Sequence, residues 1–211
     1  YNISSRQKTQ IPIGGGCHSI YDDDVAFIDD RGINIYNIST GQSSLIHSLS
    51  PNSASCPSMY DDKIVWSDSR NGPANTEIFL LNMTTGTEHQ ITSAPLNQES
   101  PVIYGNRIVW ADRRNTSNSG SPDIYMYDLS TSQESLIANS PEADAHPSIY
   151  GDKIVYQGAY NPSDILLFDI SAQTTTNITN DDFVQSMANI YQDTIVWADY
   201  HNGAPDIYIY R

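Results

Sequence analysis

The stretch "YGNRIVWADRRN", Tyr104 to Asn115, decides the fold, because near-copies of it recur along the chain. Tyr60 opens "YDDKIVWSDSRN", Tyr150 opens "YGDKIVY", Tyr191 opens "YQDTIVWAD", and Tyr21 opens the weaker "YDDDVAFID". The landmark tyrosines at 21, 60, 104, 150 and 191 are separated by 39, 44, 46 and 41 residues. A period of this size belongs to a solenoid, a propeller or an array.

The content of one copy chooses among these. Pro101 to Tyr104 reads as a short strand, Gly105-Asn106 as a two-residue turn that needs positive φ, and Arg107 to Trp110 as its hairpin partner. A loop rich in Asn, Ser and Gly then leads to a third strand, Asp123 to Asp128. Ser130 to Ser132 turn the chain into a fourth, Gln133 to Ile137. No segment keeps a helical period. Ile108, Val109 and Trp110 are consecutive and apolar, so they point to opposite faces of their strand. Both faces must be covered, as they are when a sheet is packed between two neighbours in a propeller.

The last copy stops at the third strand, "DIYIYR", and the first residues, "YNISSRQKTQI", match the turn and fourth strand of the others. The expected fold is therefore all-β: a five-bladed β-propeller of four antiparallel strands per blade. Its ring closes where the N-terminal strand completes the C-terminal blade, which removes exposed sheet edges. The blades fall at about 17–52, 53–98, 99–144, 145–185 and 186–211 plus 1–16, in one domain.

Composition narrows the function classes. A chain of 211 residues can bury one substantial core. Its 10 Lys and Arg against 25 Asp and Glu give a net charge of −15, which repels nucleic acid and anionic membranes. No apolar run reaches membrane-spanning length. Fourteen Tyr and three Trp argue against disorder. The chain opens at Tyr1 without Met or a signal peptide, and reads as a processed or excised piece of a longer, multidomain protein.

The strings "IVWSDSRNGPANTEIFLLN", "IVWADRRNTSNSGSPDIYMYD" and "IVWADYHNGAPDIYIYR" resemble TolB-like propeller repeats. They are most similar to the versions in cell-surface and surface-layer proteins of methanogenic archaea. The resemblance spans all five copies. It implies an extracellular or cell-surface setting and a non-enzymatic binding or structural role, with a protein or glycan partner at a rim or in the axial mouth. The loops over 71–76 and 115–122 differ in length and composition while the strands stay regular, and such loops are where a rigid frame places binding.

Candidate site residues follow from the repeat. One acid comes two residues after the aromatic (Asp29, Asp68, Asp112, Asp199), with Gly158 as the exception. A second opens the third strand (Glu77, Asp123, Asp164, Asp206), with Gly32 as the exception. Such pairs either accept loop N–H groups and bind the neighbouring arginines, Arg31, Arg70 and Arg114, or hold Ca²⁺. No other cofactor is expected. The acids Asp22, Asp23, Asp61, Asp62 and Asp152 read as turn residues. Cys17, Cys56, Ser100, His146 and Met187 share one position at the start of the innermost strand. Free buried thiols are the default there. A disulfide needs Cα atoms within about 7 Å, and a soft metal needs converging ligands; equivalent residues pointing the same way round a ring oppose both. Sequons stand at Asn2, Asn37, Asn82, Asn115 and Asn177. No nucleophile elbow, metalloprotease helix or phosphate loop is present. The alternative is a glycoside hydrolase-like enzyme with axial carboxylates, for which Glu99 and Asp144 are the candidates.

Overall fold

A computed structural model describes residues 10–11, 17–50, 53–115, 121–140, 144–158 and 162–211. Within them the chain is all-β. Five antiparallel sheets follow one another, each beginning on an innermost strand: β1 (His18–Tyr21), β5 (Ala54–Tyr60), β9 (Gln98–Tyr104), β13 (Ala145–Tyr150) and β17 (Gln185–Tyr191). The second strands are β2 (Asp24–Asp29), β6 (Lys63–Asp68), β10 (Arg107–Asp112), β14 (Lys153–Gly158) and β18 (Thr194–Asp199). The third are β3 (Gly32–Asn37), β7 (Glu77–Asn82), β11 (Asp123–Asp128), β15 (Asp164–Asp169) and β19 (Asp206–Tyr210). Four sheets add an outer strand: β4 (Gln42–Ser48), β8 (Thr87–Gln90), β12 (Gln133–Ala138) and β16 (Thr174–Asn177). The fifth sheet has three strands, and the segment expected to complete it lies largely outside the described residues.

Successive innermost strands lie side by side, as in a propeller. They are tied by side chains: the Ser19 hydroxyl accepts from the Met59 N–H, that of Ser58 from Ile103, and that of Ser148 from Ile190. At the far end of these strands Tyr21, Tyr60, Tyr104, Tyr150 and Tyr191 form an arc, each ring centroid 4.7–5.0 Å from the next. A hydrogen bond with Tyr150, together with burial, pushes the Tyr104 hydroxyl up to about 12.

The core is divided between the blades, which explains the runs of consecutive apolar residues. Each interblade cluster takes one face from the earlier blade and the opposite face from the next. Val65, Ile78 and Leu80 of the second blade meet Ile103, Ile108, Trp110 and Tyr125 of the third, with Ile91 at the outer edge. Val155 and Ile165 of the fourth meet Ile190, Ile195 and Trp197 of the fifth, with Leu167 and Ile178 alongside. Trp66 and Trp110 are wholly buried in such seams. A fifth cluster is half of the same design: Val25, Phe27 and Tyr36 of the first blade are covered by Ile11. The matching half on the fifth blade is open, with Val196 36%, Ile207 77% and Ile209 51% exposed.

The two ends of the blades differ. At the tyrosine end every first hairpin turn has two residues (22–23, 61–62, 105–106, 151–152 and 192–193). The first of them has positive φ in all five: Asp22, Asp61, Gly105, Gly151 and Gln192. The next turns at that end, 38–41, 83–86, 129–132 and 170–173, all have four residues. At the opposite rim the connections from second to third strand are 30–31, 69–76, 113–122, 159–163 and 200–205. All the length variation gathers on this rim.

Candidate functional site

The repeated acids lie at the variable rim, and each pair is brought face to face across its hairpin: Asp68 opposite Glu77, Asp112 opposite Asp123, Asp199 opposite Asp206. Their oxygens are taken up by N–H donors. Asp112 is fully buried and accepts from Trp110 Nε1 at 2.8 Å, the Arg114 backbone N–H at 2.9 Å and Arg114 Nη2 at 2.6 Å. Asp68 repeats this with Trp66 and Arg70. Asp199 accepts from Trp197, from the His201 N–H and from Gln185. Burial alone would raise the Asp68 carboxyl, but the hydrogen bonds from Arg70 and Trp66 outweigh it and hold the group below the ordinary range. Arg31 holds Asp29 at about 2. On the third strand Glu77 accepts from Asn71, Asn75 and Gln90, Asp123 from Asn115, and Asp206 from Asn202.

The arginine guanidinium tips also reach beyond the acids. Arg114 reaches Glu134 on the outer strand and lies 4.1 Å above the Tyr125 ring, and Arg70 does the same with Glu88 and Phe79. The acid pairs therefore act as brackets that fold each rim loop back on its blade. Among the described residues no group of three or more His, Cys, Asp or Glu is placed to hold a metal ion.

Both exceptions to the pattern have steric causes. A Cβ on Gly32 would lie 2.1 Å from the His47 carbonyl oxygen, and its φ of +137° is strained for any other residue. A Cβ on Gly158 would meet Asp144 Oδ1 at 3.0 Å and Leu166 at 2.5 Å. In the third and fifth blades the innermost strand places Gln98 and Gln185 opposite the acid. In the fourth the acid stands just before the innermost strand, as Asp144, and the second strand makes room with glycine. Asp144 is buried, accepts from the Ser140 N–H and hydroxyl, and is raised above the usual carboxylate range by that burial. Glu99 is paired with Arg113 and Asn97.

The expectation of free buried thiols is corrected: Cys17 and Cys56 form a disulfide, with Cα atoms 4.9 Å apart, and both residues are exposed. The argument that equivalent residues cannot reach each other fails because the first two innermost strands lie side by side and hold these Cα atoms well within disulfide reach. Paired sulfurs are also withdrawn from any soft-metal site. The other ring residues, Ser100, His146 and Met187, have φ of 54°, 50° and 55° and are exposed, each followed by a buried Pro101, Pro147 or Ala188.

Of the sequons, Asn37 and Asn82 cap the second turn of the tyrosine end. Each side-chain oxygen accepts a backbone N–H, from Thr40 and Thr85, and each amide donates to an acid, Asp24 and Asp62. Asp128 and Asp169 do the same capping in their blades. Asn115 donates to Asp123 and the Tyr125 hydroxyl, Asn177 is exposed at the end of β16, and Asn2 lies outside the described residues.

Sequence reasoning missed two features of this rim. One is a cavity of about 370 Å³ between the second and third blades, lined mostly by serines. Isolated serines carry no pattern, so nothing in the sequence announced it. The other is the strained backbone of the ring residues, which only their place before Pro or Ala foreshadows.

Among the described residues no helix is long and apolar enough to cross a membrane. No known family matches the chain by sequence, and no curated protein does. Solved structures do match its fold. TolB from Acinetobacter baumannii superposes with a TM-score of 0.61 at 18% identity, over 87% of this chain and 50% of that one. A chain of the nidogen/laminin complex gives 0.64 at 12%, over 90% and 73%. The Pyrococcus horikoshii acylaminoacyl peptidase gives 0.72 at 13%, over 89% and 35%. The chain thus spans half the length of that TolB. At these identities the likeness is one of fold alone: the blades are those of a β-propeller.

Proposed function

We propose that this propeller is a non-enzymatic binding module displayed outside the cell, which presents the loops of one rim to a protein or glycan partner. The carrying observation is the asymmetry of the two ends. Among the described residues the tyrosine end repeats the same first turn in five blades and the same second turn in four, whereas the opposite rim varies from two residues to ten between second and third strands. Length variation confined to one face of a rigid frame is the pattern of a recognition surface.

Three further points support the reading. The charged residues of the repeat are spent on bracketing loops, which leaves the frame rigid and the loops in place. The Cys17–Cys56 disulfide suits an oxidising compartment, as at a cell surface or surface layer. The nidogen propeller fold is found in a complex with laminin, a protein partner. The enzymatic alternative needs two carboxylates about 5–10 Å apart in one pocket; the cavity of about 370 Å³ has Glu99 in its lining without Asp144. Asn177 is the sequon best placed to carry a glycan. In this reading the ring closes with five blades, the half-core of the fifth meeting that of the first, and the domain sits within a longer surface protein of archaeal type.

The test is binding to envelope proteins and glycan panels by the native domain and by two variants. One carries Gly-Ser residues at 72–75 on the variable rim, and the other carries Asp169→Asn and Asp193→Asn at the tyrosine end. Loss of binding in the first alone is the expected outcome. Equal binding by both variants overturns the assignment of the rim.

A further inference from the structure

The serine-lined cavity on the variable rim has a chemistry of its own. It holds about 370 Å³ between the second and third blades, and six of its eight lining residues carry a hydroxyl. Ser55 and Ser67 sit on its floor, hydrogen-bonded to each other. Ser69 and Thr76 come from the two ends of the 69–76 loop, and Ser100 from the strained start of the third blade. Glu99 supplies the one carboxylate, aimed by Asn97 Nδ2 and Arg113 Nε, each at 3.2 Å.

We infer that this cavity is a binding subsite for a neutral sugar residue, the exposed terminus of a glycan. The Ser53 and Ser69 hydroxyls donate to the Ser50 and Ser53 carbonyls and keep lone pairs with which to accept, so this wall is complementary to a ligand that is itself a ring of hydroxyl donors. The aimed carboxylate keeps a second lone pair on each oxygen and can accept from two adjacent sugar hydroxyls. An anionic ligand is disfavoured by Glu99 and by the net charge of −15. A protein side chain would need an apolar or aromatic anchor pocket, and this lining offers only Ala54. The volume lies at the low end for ligand sites, which suits one sugar ring rather than a chain. With a single carboxylate the cavity binds and does not hydrolyse, because glycoside cleavage uses two.

This rests on the reading of the rim as a recognition surface and selects glycan as its ligand at this point. The probes are the neutral methyl glycosides of glucose, galactose, mannose and N-acetylglucosamine, with glucuronic acid as the charged comparison. Saturation-transfer NMR and amide shifts of the intact domain are read in parallel. At least one neutral glycoside is expected to bind and to shift Ser55, Ser69 and Thr76, with glucuronic acid weaker. Thr76→Val and Ser69→Ala each remove one hydroxyl and weaken binding about five- to tenfold, the worth of one hydrogen bond. Glu99→Gln weakens it at least as much, and Asp169→Asn at the far end changes nothing. Absence of binding by every neutral glycoside, binding indifferent to the three pocket variants, or release of free sugar overturns the inference. If glycosides fail while the 72–75 variant still loses an envelope partner, the subsite alone falls and the binding module stands.

Discussion

Burial raises both Asp68 and Asp144, yet the two carboxylates shift in opposite directions, because the partner decides the sign. Asp68 is buried among donors from Arg70 and Trp66, which hold its folded pKa below the unfolded value near 4. The folded state then binds fewer protons than the unfolded one, so this stabilisation is complete above the unfolded pKa. It drains away as pH falls through the folded pKa. Asp144 is raised by burial and, among the described residues, has Ser140 as its donor. Its ionised form penalises folding above the unfolded pKa, and acid relieves that penalty. Two variants separate the cases by thermal melting from pH 7 downward. Asp68→Asn is expected to melt lower at pH 7, with the gap closing on acidification; full truncation to Ala costs about 3–5 kcal/mol because Arg70 loses its buried partner. Asp144→Asn is expected to melt higher at pH 7 and like the parent below pH about 3. A lower melting point for Asp144→Asn at pH 7 would show that its charge is needed.

Each blade carries one carboxylate near the rim end of its inner hairpin, and the fourth blade shows that the strand supplying it can change. Gln98 stands opposite Asp112 and Gln185 opposite Asp199, whereas Asp144 belongs to a hairpin whose second strand ends on Gly158. Gly158→Asp alone drives a second carboxylate onto Asp144 and into Leu166, and is expected to cost about 2–4 kcal/mol. Adding Asp144→Gln recreates the Gln–Asp pairing of the other blades and should recover at least half of that loss. Additive losses in the double variant, measured by denaturant unfolding, would mean that the two positions are not one device. The strands themselves were legible in the sequence, since apolar runs, two-residue turns and a fixed period leave few alternatives. Why the fourth copy lacks its acid was not, because the compensating Asp144 sits fourteen residues before the gap it explains. The disulfide was missed for a related reason: repeat symmetry argued that Cys17 and Cys56 point in parallel, whereas adjacent innermost strands bring their Cα atoms to 4.9 Å, within disulfide reach.

At the scale of the whole molecule the decisive surface is the open face of the fifth blade. Val196, Ile207 and Ile209 stand where Val155, Ile165 and Leu167 stand in the fourth blade, and those three line a closed seam. On the first blade, Val25, Phe27 and Tyr36 form a buried half-cluster under Ile11. Ile11 matches Ile91 and Ile178, the outer-strand residues that edge complete seams. Two complementary halves, with the bridging isoleucine already on one of them, favour closure of the chain upon itself. Ile207→Asp reads this directly. At 77% exposure an aspartate there would shift stability by less than about 0.5 kcal/mol. Buried in a seam like that of Ile165, it would cost about 2–4 kcal/mol and lower the melting temperature by roughly 5–15 °C. Closure predicts the larger drop, in a protein that sediments as a monomer before and after the change. An unchanged melting point would leave the face open to solvent, and a parent dimer that Ile207→Asp splits would assign it to a second copy; either result removes the five-bladed ring.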